Sequence, residues 1–162
     1  TMGTYKGAGF HSAASANLDL AGEDGVRAAT GDDAGLFEAI GARSPIPLVR
    51  VEASRYLREA GQPSSRISTE GLMTISMAKF VHAKLGPGEA PEPLYALEIN
   101  LASDVAALAR KAFAQTNERA LAACAQVLVG MALIAEDVAL PDPSAFNRAT
   151  CDVVSFAMSV SV

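Results

Sequence analysis

Few side chains in this sequence could do chemistry, and their spacing decides what they could be. His11 and His82 are its histidines, and neither has a Cys, Asp or Glu at the separations that bind zinc or build a catalytic triad. A general base needs a partner to hold it, so His82, near the expected end of a strand, reads as an exposed or partner-facing residue. Glu52 and Glu98 fall on expected polar strand faces. They would form an acid pair only if the register brought them together, and a solvated face is the simpler account. The glycines of "GAGF" and "LGPGEAP" fit neither phosphate-cradling pattern, GxGxxG or GxxxxGK[ST], and read as turn glycines. Cys124 and Cys151 make no CxxC. Cys124 sits on an apolar helical stripe, where a free thiol behaves as a small hydrophobe. Both are expected as reduced core or interface residues, and a disulfide would need the fold to bring them together. With no nucleophile, metal or cofactor motif, the expectation is a protein that is not an enzyme and carries no cofactor.

The totals set the frame. A chain of 162 residues is expected to form a single domain, 1–162, with a proper core. Half of it is hydrophobic and 19% is charged, which predicts a folded chain. No apolar run approaches the ~20 residues of a membrane helix, and "TMGTYKGAGFHS" lacks the basic and apolar regions of a signal peptide, so no membrane partner is expected. The net charge of −5 argues against a general nucleic-acid binder but leaves room for a local basic patch.

These residues need elements to position them. Residues 8–20 alternate weakly and suggest a first strand or hairpin, and "AGEDGVRAATGDDAG" has the Gly/Asp content of a loop. "LFEAIG" reads as one helical turn or as irregular. "SPIPLVRVEASRYLRE" reads as a strand, with Val49, Val51 and Ala53 alternating against Arg50, Glu52 and Ser54. "RISTEGLMTISMAKFVHAK" reads as the next strand, with Met73, Ile75 and Met77 opposite Thr74, Ser76 and Ala78. "LGPGEAPEP" is a Pro/Gly loop expected at the tip of a long hairpin. Tyr95, Leu97 and Ile99 then alternate against Ala96, Glu98 and Asn100, which predicts a third strand. Helical spacing begins at Val105 and runs over 104–138, with "QTNER" at 115–119 able to divide it and Gly130 able to bend it. "LPDPSAFNRAT" breaks the helix, and "CDVVSFAMSVSV" alternates as a terminal strand, 151–162. The expected class is α+β: an N-terminal hairpin (8–20), an antiparallel sheet (46–102) with helix on one face, and an extra C-terminal strand.

The other face of that sheet collects Arg50, Glu52, Ser54, Tyr56 and Arg58 from the first strand, Thr74, Ser76, Ala78, Phe80 and His82 from the second, and Ala96, Glu98 and Asn100 from the third. A flat face of Arg, Ser, Thr, Asn and an aromatic can bind single-stranded nucleic acid by hydrogen bonds and stacking. Composition alone favours an ordinary solvated face.

The succession "IPLVRVEASRYLRE", "SSRISTEGLMTISMAKFVH", "LGPGEAPEP", "LYALEINLASDVAALARKAFAQ" resembles the coat proteins of the single-stranded RNA bacteriophages, the levivirus type, over residues 8 to 138. Its most specific piece is strand, Pro/Gly loop, strand, "ASD", helix. The resemblance implies a capsid protein whose helices clasp the sheet of a second subunit, giving a homodimer with a continuous sheet. Such dimers assemble, in the bacterial cytoplasm, into the icosahedral shell of a virion that encloses single-stranded RNA. It further implies that Arg50, Ser54, Tyr56, Thr74, Ser76, Glu98 and Asn100 face RNA, and that "LGPGEAPEP" gathers at the symmetry axes. The alternative is a small α+β ligand-binding or enzyme domain.

Overall fold

The structure is a computed structural model that describes residues 4–5, 8–9, 31–86 and 93–160. The first pair of strands, β1 (Thr4–Tyr5) and β2 (Ala8–Gly9), is antiparallel. From residue 10 onward the expected hairpin over 8–20 lies outside the described residues. So does the Gly/Asp loop, except that its last residues are helical. Helix α1 (Gly31–Ala42) begins at "GDDAG" and takes in all of "LFEAIG". It is fixed from both ends, by Asp33 to Arg110 and by Arg43 to Glu118.

Three strands follow: β3 (Leu48–Ala53), β4 (Ser65–Glu70) and β5 (Leu94–Ile99). They form one sheet in the order β3-β5-β4. β4 runs antiparallel to β5, and β3 runs parallel to it. The sheet is therefore mixed, not antiparallel as the sequence suggested. The cause is the strand order: β5 lies between β3 and β4, so the neighbour of β3 is a strand that runs the same way. "GLMTISMAKFVHAK" does not extend the strand: Gly71 turns the chain with a φ of +82°, and helix α2 (Ile75–Leu85) follows. The Thr74 hydroxyl accepts from the Met77 N–H, which caps α2 at its start. Ile75, Ala78 and His82 then fall at helical spacing on the inward side, a period that outweighs the β preference of Thr, Ile and Val. "LGPGEAPEP" thus joins a helix to a strand and is no hairpin tip; its residues 87–92 lie outside the described residues.

The alternation in β5 holds, since Leu97 and Ile99 join the core with Tyr95 packed against it. In β3 only Val51 and Ala53 keep the expected side. The register shifts between Leu48 and Arg50, so Leu48 packs on the core while Val49 is exposed. Tyr56 and Arg58 fall beyond the end of β3.

The helical region divides where its polar segment suggested, into α3 (Asp104–Ala114) and α4 (Glu118–Ala135). Ser103 caps α3, and Asn117 caps α4 after a left-handed Thr116. α4 runs through Gly130 without interruption. It is long and apolar enough to cross a membrane, contrary to the expectation from runs of residues, but most of it is buried against β4, α3 and α5. Of the apolar stripe Leu121, Cys124, Leu128, Met131 and Ala135, expected to need the cover of a second subunit, the first three are buried within the chain and Met131 and Ala135 are exposed.

The terminal strand expected over 151–162 is not formed. Residues Pro143–Val160 are helix α5, with Pro143 in the first turn and the Asp142 carboxylate accepting from the Ala145 N–H. Ala149, Val153 and Phe156 make a helical stripe buried against α4. "CDVVSFAMSV" satisfies both periods, and the partner available, α4, selects the helix. Its alternating Val154 and Met158 are left exposed.

Candidate functional site

The helices cover one face of the sheet. Ser65 faces that side, donating to the Leu128 carbonyl. Alternation puts Arg50 and Glu52 of β3, Ala96 and Glu98 of β5, and Arg66, Ser68 and Glu70 of β4 on the other face. In register, Arg50, Ala96 and Ser68 make one row across the sheet, and Glu52, Glu98 and Arg66 the next.

Arg50 pairs with Glu52 on its own strand at 3.0 Å and with Glu70 on the far edge strand at 2.5 Å. To do so it spans the central strand at Ala96, whose small side chain is fully buried there. Its Nε is buried with no hydrogen-bond partner, and so is the Ser68 hydroxyl, on a residue 2% exposed. In the next row Glu98, 5% exposed, accepts from the Ser54 hydroxyl at 3.0 Å and pairs with Arg66 at 3.4 Å. The Arg66 guanidinium also lies over the Tyr56 ring, 5.2 Å from its centroid. The Ser54 hydroxyl accepts from the Tyr56 and Leu57 N–H groups, which holds that ring beside the sheet. Two arginines and three glutamates give this face a net charge of −1.

Of the residues expected to share a polar face, Arg50, Ser54, Tyr56 and Glu98 do gather there. Thr74 and Ser76 do not: Thr74 caps α2 and Ser76 lies in its first turn, because the chain turns at Gly71. Asn100 is wholly buried, its Nδ2 donating to the Glu59 and Pro63 carbonyls and its Oδ1 accepting from the Ala102 N–H. It clamps the loop between β3 and β4 and offers nothing to a ligand. The sequence reading missed Arg66, Ser68 and Glu70. Their signal is "SRISTE", where they alternate with Ile67 and Thr69 one strand earlier than the alternation at Met73 to Met77.

Glu52 and Glu98 are neighbours in register, but each is engaged by an arginine, as befits a charge-paired face and not an acid pair. Among the described residues no group of three His, Cys, Asp or Glu could hold a metal ion. Cys124 is buried, Cys151 is exposed, and both are free.

A second surface feature lies at one end of the sheet. α2 buries Ala78 and exposes Met77, Phe80 and Leu85, while Leu72 just before it and Leu94 at the start of β5 are also exposed. Leu72 is 82% and Phe80 64% accessible. Lys79 ties the helix to the end of α4 through the Glu136 carbonyl and Asp137.

No protein-family model matches the chain, and no curated protein matches it.

Proposed function

We propose that the chain is a structural subunit that works by self-association, a coat protein of the kind formed by the single-stranded RNA bacteriophages, with RNA as the enclosed partner. The observation that carries this reading is the apolar surface of α2 and its flanks: Leu72, Met77, Phe80, Leu85 and Leu94. Large apolar side chains gathered on an element that few neighbours cover mark an association surface. Within one chain their exposure is a cost, and in an assembly of identical subunits it becomes interface. The mixed sheet and α2 differ from the antiparallel sheet that the resemblance implies, so the proposal rests on surface and residue order, not on shared topology.

The test is the size and content of the purified particle. Size exclusion with light scattering should give a dimer or a much larger assembly, and absorbance at 260 nm relative to 280 nm should report co-purified nucleic acid. Met77→Ser/Phe80→Ser should leave the fold's circular dichroism unchanged and shift the protein to smaller species. A monomer at micromolar concentration, unchanged by that substitution, would reject the reading and leave a small α+β ligand-binding or enzyme domain.

A further inference from the structure

We infer that the polar sheet face is a self-occupied polyanion site, in which Glu52 and Glu70 hold the Arg50 guanidinium where RNA phosphates would, so that RNA binds by displacing them. This rests on the reading of the chain as an RNA-enclosing subunit and adds how the face can take RNA despite its negative charge.

Arg50 is the pivot of this face. Its guanidinium is held between two carboxylates, one on its own strand and one on the opposite edge. All three side chains remain partly open to solvent, and ion pairs so exposed add little net stability, so another anion can exchange into them. A guanidinium presents the same planar fork to phosphate as to carboxylate, and phosphate offers more acceptor oxygens. Arg50 also keeps a buried Nε without a partner, and the Ser68 hydroxyl in the same row is buried and unpartnered. Neither carboxylate uses these two donors. An anion with several oxygens, entering over the small floor of Ala96, could use both. Along the face, Arg66 over the Tyr56 ring supplies a second cation and an aromatic plane suited to a base. The recognised class is therefore a single-stranded polynucleotide with unpaired bases. Binding replaces one ion pair with another, and the displaced carboxylates oppose it.

Removing those carboxylates should therefore strengthen binding, whereas carboxylates that merely position Arg50 would weaken it when removed. The measurement is fluorescence anisotropy with a labelled oligouridylate on the full chain at low ionic strength. Glu52→Gln/Glu70→Gln should tighten binding by roughly tenfold. Glu38→Gln/Glu136→Gln, which makes the same charge change at exposed positions on α1 and just past the end of α4, should leave it nearly unchanged. The gain should vanish when Arg50→Ala is added. If the double glutamine variant is poorly folded, Glu70→Gln alone, at the end of β4, serves as the readout. Binding unchanged or weakened by the glutamine substitutions, with Arg50→Ala still harmful, overturns displacement while the RNA reading stands. Equal tightening by the control pair reduces the effect to net charge and also overturns it. If no form of the chain binds the oligouridylate, or if Arg50→Ala and Arg66→Ala are both without effect, the RNA reading of this face falls as well.

Discussion

Arg50 and Glu70 join the two edge strands of the sheet over the central one, their ion pair closing at 2.5 Å across Ala96. The pair couples β3 to β4, which share no hydrogen bonds with each other. Both groups are partly solvated, so a double-mutant cycle of Arg50→Ala and Glu70→Ala should give a coupling of about 0.2–1 kcal/mol, falling with added salt. Ala96→Leu should do more damage, because it fills the space the arginine crosses. It should lower unfolding free energy by about 1–3 kcal/mol in urea titration. A neutral Ala96→Leu would mean that Arg50 passes elsewhere.

Asn100 should matter for stability and not for RNA. Asn100→Ala removes three hydrogen bonds and takes from the Pro63 carbonyl and the Ala102 N–H the partner they have in Asn100, while the Glu59 carbonyl keeps the Gln62 N–H. A loss of about 2–3 kcal/mol is expected, at about 1 kcal/mol for each bond. Oligouridylate affinity of the folded fraction should not change. A variant of unaltered stability with weakened binding would restore Asn100 to the interface.

At Gly130 the close approach of α4 and α5 leaves no room for a side chain. A Cβ there would come within 2.3 Å of the Phe146 ring. Alanine favours a helix interior by about 1 kcal/mol over glycine, so a surface site would gain from Gly→Ala. Here the clash should win: Gly130→Ala should destabilise by about 1–3 kcal/mol and speed hydrogen exchange along α5. Adding Phe146→Ala should recover part of the loss by removing the clash.

The two thiols should separate by rate. Burial pushes the Cys124 thiol up to about 11, while Cys151 is exposed on α5. At neutral pH iodoacetamide should label Cys151 first and Cys124 only as the chain opens. The folded chain holds the Cys124 proton to higher pH than the unfolded chain does. Its contribution to stability is thus complete below the ordinary value of 9.0 and is lost as pH rises from there through about 11. Cys124→Ala should flatten that alkaline decline.

The sequence disclosed the parts whose period had one reading. β5, the start of α3 and the division between α3 and α4 follow from an alternation that gives way to a 3.6-residue repeat, with polar residues at the joint. Where a segment satisfied two periods the partner decided, and the partner was not legible. Val154, Phe156 and Met158 alternate, yet Val153 and Phe156 are what α4 receives. Met73, Ile75 and Met77 likewise fit a strand until Gly71 and the Thr74 cap are given their due. The candidate face was half legible for the same reason. Arg50, Ser54 and Glu98 lie on segments read correctly, whereas Arg66, Ser68 and Glu70 lie on the strand whose position was misjudged. The placing of β5 between β3 and β4 is a matter of which edge it joins, and neither strand carries a mark of it.

The order β3-β5-β4 also has a consequence for how the chain acquires its structure. The central strand is the last of the three to be synthesised, so β3 and β4 have no neighbour in the sheet until β5 emerges. Pairing β3 with β5 closes a loop that contains β4 and α2, a non-local step with a large entropic cost. α3, α4 and α5, by contrast, are successive neighbours that pack locally. The helical layer can therefore form quickly once it is made, and the slow event is the insertion of β5 between two waiting edges. Until then both edges remain open to strands of other chains, and chain concentration during refolding sets the balance between the native sheet and aggregation.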